Sequence, residues 1–319
     1  MNAKLKIAFY WGASCGGCEV SFLDINEKIL EVSALVDVLI MPVAFDGKYK
    51  DIEALPEKGI DICFFNGGIR NSEAEHLAKL LRQKSKIMIA YGACASWGGI
   101  PGLANQFHAE DILTRVYETT PSTDNPRRIR PAMKTAVPEG ELEIPKFYDK
   151  VFPLDEIVGV EYYLPGCPPT VEWVLKTVEA IASHTLPSAG SVIGLEKTLC
   201  DECPRERSSD RKILKFFRPH EIIADTKQCL LDQGLICCGP ATRGGCGAKC
   251  MEVNMPCRGC YGPPPGISDQ GAKMLSVIAC AIDSNDEQEI ARIVSDIKDP
   301  VGIFYQFSLA KSILKGVVK

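Results

Sequence analysis

Five short apolar runs in the first half of the chain predict five buried β-strands. They cover residues 4–10, 36–41, 60–65, 86–91 and 160–164. Between the third and fourth runs, Ser72 and Glu75 form a capping-box pattern before an amphipathic stretch, which predicts a helix. After the fifth run, Pro168 and Pro169 predict the start of a second amphipathic helix that continues to about His184. Strands that alternate with helices predict an α/β fold with a parallel, flavodoxin-like sheet.

The alternation stops near residue 188, where the chain becomes rich in cysteine, glycine and proline. We therefore predict two domains, a flavodoxin-like domain at residues 1–190 and an irregular, partly helical domain at residues 191–319. A long insertion at residues 102–157 separates the last two predicted strands. Connections of this length in a compact domain are usually functional or disordered, so we expect this one to help clasp a partner chain.

Composition and charge exclude several classes of protein. The chain has 319 residues and 46% hydrophobic composition, which is enough for two domains with ordinary cores. A formal net charge of -5 argues against nucleic-acid binding. No apolar run approaches the roughly 18 residues that a membrane span requires, and the N-terminus lacks the pattern of an export signal. The expectation is a cytoplasmic protein whose cysteines are reduced.

Cysteine is the residue type that carries the chemistry. The chain has 15 cysteines, and nine of them lie between Cys200 and Cys260. Thiols at short spacings form disulfides, bind structural zinc or hold iron–sulfur clusters. A chain of this size does not depend on disulfides for its stability. Zinc and iron–sulfur clusters both remain compatible with the spacing.

Four cysteines of the first half stand in glycine-rich turns after predicted strands. Cys15 and Cys18 follow the first strand, Cys94 follows the fourth, and Cys167 follows the fifth. Loops that leave the carboxyl ends of parallel strands meet at one edge of the sheet. We therefore predict that these four thiols form one site.

The second half offers eight further ligands, enough for two more sites of four cysteines each. They are Cys200, Cys203, Cys229, Cys237, Cys246, Cys250, Cys257 and Cys260. Three cysteines are left over. Cys63 and Cys280 lie in apolar runs and are predicted to be buried, while Cys238 is an alternative to Cys237 as a ligand.

The motifs around these cysteines resemble, as a set, the small, electron-transferring subunits of the NiFe hydrogenases. The matching segments occur in family order at residues 11–18 (WGASCGGC), 91–94 (YGAC), 164–169 (LPGCPP), 237–242 (CCGPAT) and 256–260 (PCRGC). The resemblance implies a separate large subunit that carries the nickel–iron site, with this chain as the oxidoreductase component that removes electrons.

The resemblance also implies three 4Fe-4S clusters. The proximal cluster would be held by Cys15, Cys18, Cys94 and Cys167, the medial cluster by Cys246, Cys250, Cys257 and Cys260, and the distal cluster by Cys200, Cys203, Cys229 and Cys237. Many relatives have a histidine where this chain has Cys200, and three cysteines at the medial site where Cys250 here adds a fourth. These departures imply altered cluster potentials.

Within the family, the all-cysteine pattern is most similar to the methyl-viologen-reducing type, which does not reduce the deazaflavin coenzyme F420. Its implied acceptor is an iron–sulfur or flavin subunit linked to heterodisulfide reductase. The deazaflavin-reducing type is the alternative within the family, and a zinc-stabilised scaffold is the alternative outside it. The quinone-pathway subunit of respiratory complex I is disfavoured, because it has adjacent cysteines at the first motif and lacks the eight-cysteine segment.

Overall fold

The computed structural model describes residues 4–44 and 47–316. Its strands are β1 (Leu5–Trp11), β2 (Val36–Ile40), β3 (Ile60–Asn66), β4 (Ile69–Asn71), β5 (Ser85–Tyr91), β6 (Lys134–Val137), β7 (Gly140–Glu143), β8 (Phe147–Phe152), β9 (Tyr162–Leu164) and β10 (Ser191–Val192). Its α-helices are α1 (Gly17–Leu23), α2 (Lys28–Leu35), α3 (Tyr49–Glu53), α4 (Ser72–Lys84), α5 (Ala93–Trp97), α6 (Ala109–Thr114), α7 (Val171–Ala182), α8 (Lys249–Glu252), α9 (Gln270–Ala281), α10 (Glu287–Ser295) and α11 (Pro300–Phe304).

A six-stranded parallel sheet in the order β10-β9-β5-β3-β1-β2 organises the first half. All five predicted strands are present, and their order is that of a flavodoxin-like sheet. Alternate residues of β3 face opposite sides, so that Phe64 packs with α1 and α7 while Phe65 packs with α4. The α/β class is confirmed. A short sixth strand, β10, extends the sheet beyond the prediction, and the division of the chain at residue 190 stays a prediction.

The helix predicted after Ser72 is α4, but its cap lies one residue earlier than predicted. The Asn71 side chain accepts a hydrogen bond from the Ala74 N–H at 2.8 Å. The Ser72 hydroxyl instead accepts from the Lys146 N–H at 2.9 Å, and Glu75 pairs with Lys79. The capping-box prediction is therefore wrong, because the insertion takes up the Ser72 side chain.

The second predicted helix, α7, begins at Val171 with Thr170 as its N-cap residue, just after the two prolines. Its buried face contains Val174, Val178 and Ile181, as the apolar spacing predicts. This helix leaves the same edge of the sheet as the loop that carries Cys167.

The insertion is an ordered unit. It contains α6, the exposed hairpin β6–β7, and β8, which pairs antiparallel with β4. Buried Asn105 ties it together, since its amide donates to the Val151 carbonyl at 3.0 Å and accepts from the Val151 N–H at 2.8 Å.

The second half has a hydrophobic core of its own, built from loop residues such as Leu230 and Leu235 and from α9, α10 and α11. Because many of these residues lie in irregular segments, their burial leaves no periodic signal in the sequence. Cys63 is buried as predicted, whereas Cys280 is exposed on α9, so the prediction for Cys280 is wrong. In the described residues, no helix is both long and apolar enough to cross a membrane.

The two halves meet along the segment that follows α11. The Gly99 N–H donates to the Phe307 carbonyl at 3.2 Å, and Ala310 lies directly over Gly98. Lys311 forms an ion pair with Asp155 and lies 4.9 Å from the centre of the Tyr163 ring. The turn that follows Cys94 is therefore packed against the end of the second half.

Candidate metal centres

Four cysteines meet at the carboxyl edge of the sheet, as predicted. Cys15 and Cys18 lie before and within α1, Cys94 lies in α5, and Cys167 lies between β9 and α7. Two glycines make room for their sulfurs. A Cβ on Gly92 would lie 2.3 Å from Cys18 Sγ, and one on Gly99 would lie 2.5 Å from Cys94 Sγ. We call this the proximal group.

The thiols of the proximal group raise one another's pKa. Burial raises the pKa of Cys18, and the nearby Cys94, Cys167 and Cys15 raise it further. Burial, then Cys167 and Cys15, raise the pKa of Cys94 to about 12. Thiolates crowded in this way require a bound cation to stay ionised, and a coordinating metal deprotonates a thiol outright.

A buried polar pair lies behind the proximal group and was not predicted. Glu19 is 0% exposed and accepts hydrogen bonds from the Val43 N–H at 3.1 Å and the Asn66 side-chain amide at 3.3 Å. Burial raises its pKa. A glutamate in the first turn of a helix usually faces solvent, so the sequence contains no signal for this burial.

Cys200, Cys203, Cys229 and Cys237 line one cavity, whose walls also include Leu199, Leu230 and Met251. Burial, with Cys237 as the next cause, raises the pKa of Cys200 to about 12, although Arg207 opposes this shift. A Cβ on Gly239 would lie 3.1 Å from Cys200 Sγ and 3.7 Å from Cys237 Sγ. We call these four thiols the distal group.

The predicted medial group consists of Cys246, Cys250, Cys257 and Cys260, of which Cys246, Cys250 and Cys260 lie close together. Burial, followed by Cys246, Cys167 and Cys250, raises the pKa of Cys260 to about 12. Cys257 is buried, and its pKa is raised by burial and then by Cys237, Cys238 and Cys260. Cys257 therefore stands where the medial and distal groups adjoin.

Contacts between the groups arrange them in series. Cys167 lies close enough to Cys260 to raise the pKa of its thiol, which places the proximal group beside the medial group. The Cys257 N–H donates to Cys237 Sγ at 3.3 Å, which joins the medial group to the distal group. These two contacts place the medial group between the proximal group at the sheet edge and the distal group.

The leftover cysteine Cys238 lies outside the distal cavity, and its thiol donates toward the Ile303 carbonyl at 3.6 Å. Among the described residues, no three His, Cys, Asp or Glu side chains are placed to hold a single metal ion. Iron–sulfur clusters are multinuclear, and each thiolate binds a different iron atom.

The structure also places a charged residue between the distal and medial groups that the sequence patterns did not reveal. Arg205 is buried and donates to the carbonyls of Asp225, Gln228 and Met251 and to the Asn254 side chain, at distances of 2.7–3.0 Å. It therefore ties the loop after Cys203 to the loop after Cys250. In the sequence, the feature that could have indicated this role is the position of Arg205 two residues after the Cys200 and Cys203 pair.

Comparison with known families supports a relationship over both halves. The model of the family described as NADH ubiquinone oxidoreductase, 20 Kd subunit, matches residues 15–181. This stretch contains the whole proximal group. The relatives that match this chain over nearly its full length carry a different description.

The full-length relatives are components of F420-non-reducing hydrogenases. The chain is 40% identical over 310 residues to the iron-sulfur subunit of the enzyme from Archaeoglobus profundus, covering 96% of each chain. It is 35% identical over 319 residues to a subunit of the enzyme from Methanothermobacter thermautotrophicus, covering 98% of this chain and 97% of that one.

Two solved structures share the fold. A chain of an NAD+-reducing NiFe hydrogenase in the H2-reduced state has a TM-score of 0.50 and 33% identity, over 58% of this chain and 94% of that one. A chain of the NiFeSe hydrogenase from Desulfovibrio vulgaris Hildenborough has a TM-score of 0.52 and 17% identity, over 83% of this chain and 95% of that one, a likeness of fold alone. The chain therefore belongs to the small-subunit family of the NiFe hydrogenases, in the group of the iron-sulfur subunits of F420-non-reducing hydrogenases.

Proposed function

We propose that this small subunit holds three 4Fe-4S clusters and carries electrons, one at a time, from a hydrogen-oxidising large subunit to a second redox protein. The observation that supports the proposal is the placement of the cysteines, with Cys167 beside Cys260 and with the Cys257 N–H donating to Cys237 Sγ at 3.3 Å. Four cysteine thiolates are the usual ligands of a 4Fe-4S cluster. When bound, such clusters supply reversible one-electron chemistry.

The protein's own residues would hold and insulate these clusters. The cysteines fix their positions, the apolar walls of the distal cavity exclude water, and backbone N–H groups donate to sulfurs, as between Cys257 and Cys237. Hydrogen bonds to sulfur, net charge and solvent exposure set the potentials of iron–sulfur clusters. This division of roles leaves the redox chemistry itself to the clusters.

Membership of the family implies a large-subunit partner, and we propose that it covers the proximal group. Cys15 and Cys167 are exposed at the sheet edge, and Trp11 beside them is 37% exposed. Several large apolar side chains of the insertion are also exposed, Phe107, Ile129 and Leu142 among them. Apolar surface of this kind is typical of protein interfaces, which supports the prediction that the insertion clasps a partner.

We propose that electrons leave through the distal group to an iron–sulfur or flavin subunit linked to heterodisulfide reductase, in a cytoplasmic assembly. The names of the full-length relatives describe F420-non-reducing hydrogenases, which favours this type over the deazaflavin-reducing one. A reducing compartment would keep the cysteines free to bind iron.

The elemental content of anaerobically purified protein tests the cluster assignment. We expect a brown protein with about twelve irons per chain, because three clusters of four irons require that number. A large subunit that contains nickel should copurify with it. A colourless protein that contains zinc in place of iron would support the scaffold alternative and exclude the clusters.

Replacing Cys200 by histidine tests the partition of the ligands. We expect Cys200→His to raise the distal potential alone, because a neutral imidazole replaces a thiolate and lowers the negative charge of the cluster site. Cys280→His is the matched control, since Cys280 is exposed on α9 and belongs to none of the three groups. Potentiometric titration followed by electron paramagnetic resonance measures both variants. A shift confined to the medial signal would show that the ligands are divided wrongly.

A further inference from the structure

We infer that Arg211 is a positioning residue that raises the potential of the distal cluster through a charge-assisted hydrogen bond to Cys229. The inference rests on the proposed function, because it assigns Cys229 as a cluster ligand. It adds a determinant of the terminal potential that no cysteine motif encodes.

The guanidinium of Arg211 reaches the sulfur directly. Its Nη2 lies 3.6 Å from Cys229 Sγ, and its Nε donates to an Asp232 carboxylate oxygen. The other oxygen of Asp232 accepts from the Ser208 N–H at 2.7 Å. Both side chains are largely buried, at 20% exposed for Arg211 and 13% for Asp232. Charged groups shielded in this way interact more strongly than charges in water.

One turn of chain carries both the sulfur and the anchor of the arginine. Cys229 and Asp232 are three residues apart, and the Asp232 N–H donates to the Cys229 carbonyl at 3.1 Å. The distance between the sulfur and the carboxylate is thereby fixed. Arg211 is held by the carboxylate in a position from which it can donate to the sulfur, so little side-chain entropy is lost when the cluster binds.

The neighbouring cationic side chains that the structure describes do not donate a hydrogen bond to a cysteine sulfur in this way. Arg205 donates to backbone carbonyls and to Asn254, and Arg207 is exposed. Lys212 is also exposed and pairs with Asp210 and Asp283. Of the described residues, Arg211 is the cationic side chain with a hydrogen bond to a sulfur of these groups.

A fixed positive donor stabilises the reduced form of a cluster, because reduction adds negative charge to the cluster and its sulfurs. Arg211 would therefore make the last site of the series easier to reduce. Electrons that enter the chain would be drawn toward the distal end, and the Asp232 carboxylate would moderate the effect without cancelling it, since only Arg211 touches the sulfur.

The test compares Arg211→Gln with Arg211→Lys, Asp232→Asn and the control Lys212→Gln in the intact complex, by potentiometric titration with electron paramagnetic resonance. For Arg211→Gln we expect the distal potential to fall by the equivalent of about a tenfold change in the ratio of oxidised to reduced cluster, or about 59 mV for one electron. In Arg211→Lys the distal potential should fall less, since the positive charge is retained. Asp232→Asn frees the arginine from its anchor and should alter the distal potential alone. Lys212→Gln should leave all three potentials unchanged.

Equal distal potentials in Arg211→Gln and Lys212→Gln would overturn the inference. Should Arg211→Gln fail to retain iron, the comparison of Arg211→Lys with Lys212→Gln decides the question in the same way. A parent protein with fewer than three iron–sulfur signals would count against the proposed function itself, whereas three signals with an unmoved distal potential would count against Arg211 alone.

Discussion

Replacement of Cys94 by alanine should abolish the transfer of electrons from hydrogen to viologen and remove the proximal cluster signal. Cys94 is the member of the proximal group supplied by α5, and its sulfur lies among those of Cys18, Cys15 and Cys167. Replacing the residues that hydrogen-bond to the ligands of a metal site already lowers metal affinity or activity by about 10–100-fold. Loss of a ligand should therefore lower the activity by more than about 100-fold, as measured by hydrogen-dependent viologen reduction in the intact complex.

Cys63→Ala is the matched control for this substitution. Cys63 lies in β3 and is 0% exposed, and burial raises its pKa to about 12. It belongs to none of the three groups. We expect this variant to keep its full iron content and activity and to lose only a little stability. Full activity in Cys94→Ala, with an unchanged proximal signal, would refute the proximal assignment.

Replacement of Gly92 by alanine should also eliminate the proximal cluster, although it removes no ligand. Gly92 has φ +87°, and an added Cβ would lie 2.3 Å from Cys18 Sγ. A separation below 3.0 Å cannot be tolerated without displacement of the sulfur, and the neighbouring carbonyl of Gly166, 3.4 Å from the same point, limits the movement of the turn. We expect iron content to fall by one cluster and hydrogen-dependent activity to be lost.

Gly190→Ala separates the steric effect from backbone strain. Gly190 has nearly the same φ, +92°, but an added Cβ there would meet nothing within 4 Å. Both variants place alanine at a positive φ, and Gly92, with ψ 169°, lies in a region of backbone conformation that is essentially restricted to glycine. Strain of this kind costs about 1–3 kcal/mol, so both variants should lower the thermal unfolding midpoint. Only Gly92→Ala should lose iron. Equal iron contents in the two variants would mean that the turn does not constrain Cys18.

The sequence predicted the first half well because its signals are local and periodic. Apolar runs at β1, β3 and β5 identified the strands, and the rule that parallel strands end at one edge brought Cys15, Cys94 and Cys167 together. Both features follow from short-range patterns of the backbone. The division of the eight later cysteines into a medial and a distal set came from resemblance to a family and stays a prediction, while the structure brings Cys200 close to Cys237 and Cys260 close to Cys246.

The features that were missed depend on contacts between distant segments. The cap of α4 moved to Asn71 because Ser72 bonds to residue 146, and Cys280 is exposed because α9 turns its apolar face elsewhere. The contact between Arg211 and Cys229 joins residues 18 positions apart in an irregular loop. Periodicity cannot reveal such pairs, because neither partner lies in a regular element.

The segment that packs over the turn after Cys94 sets an order of events during biosynthesis. Gly99 is bound by the carbonyl of Phe307, and Gly98 is covered by Ala310, so this wall of the proximal group comes from residues translated more than 200 positions later. A ribosome releases the amino end first. We therefore expect the first-encoded site to be completed only after almost the whole polypeptide has emerged. A stalled nascent chain lacking residue 307 that already carried this cluster would contradict that order.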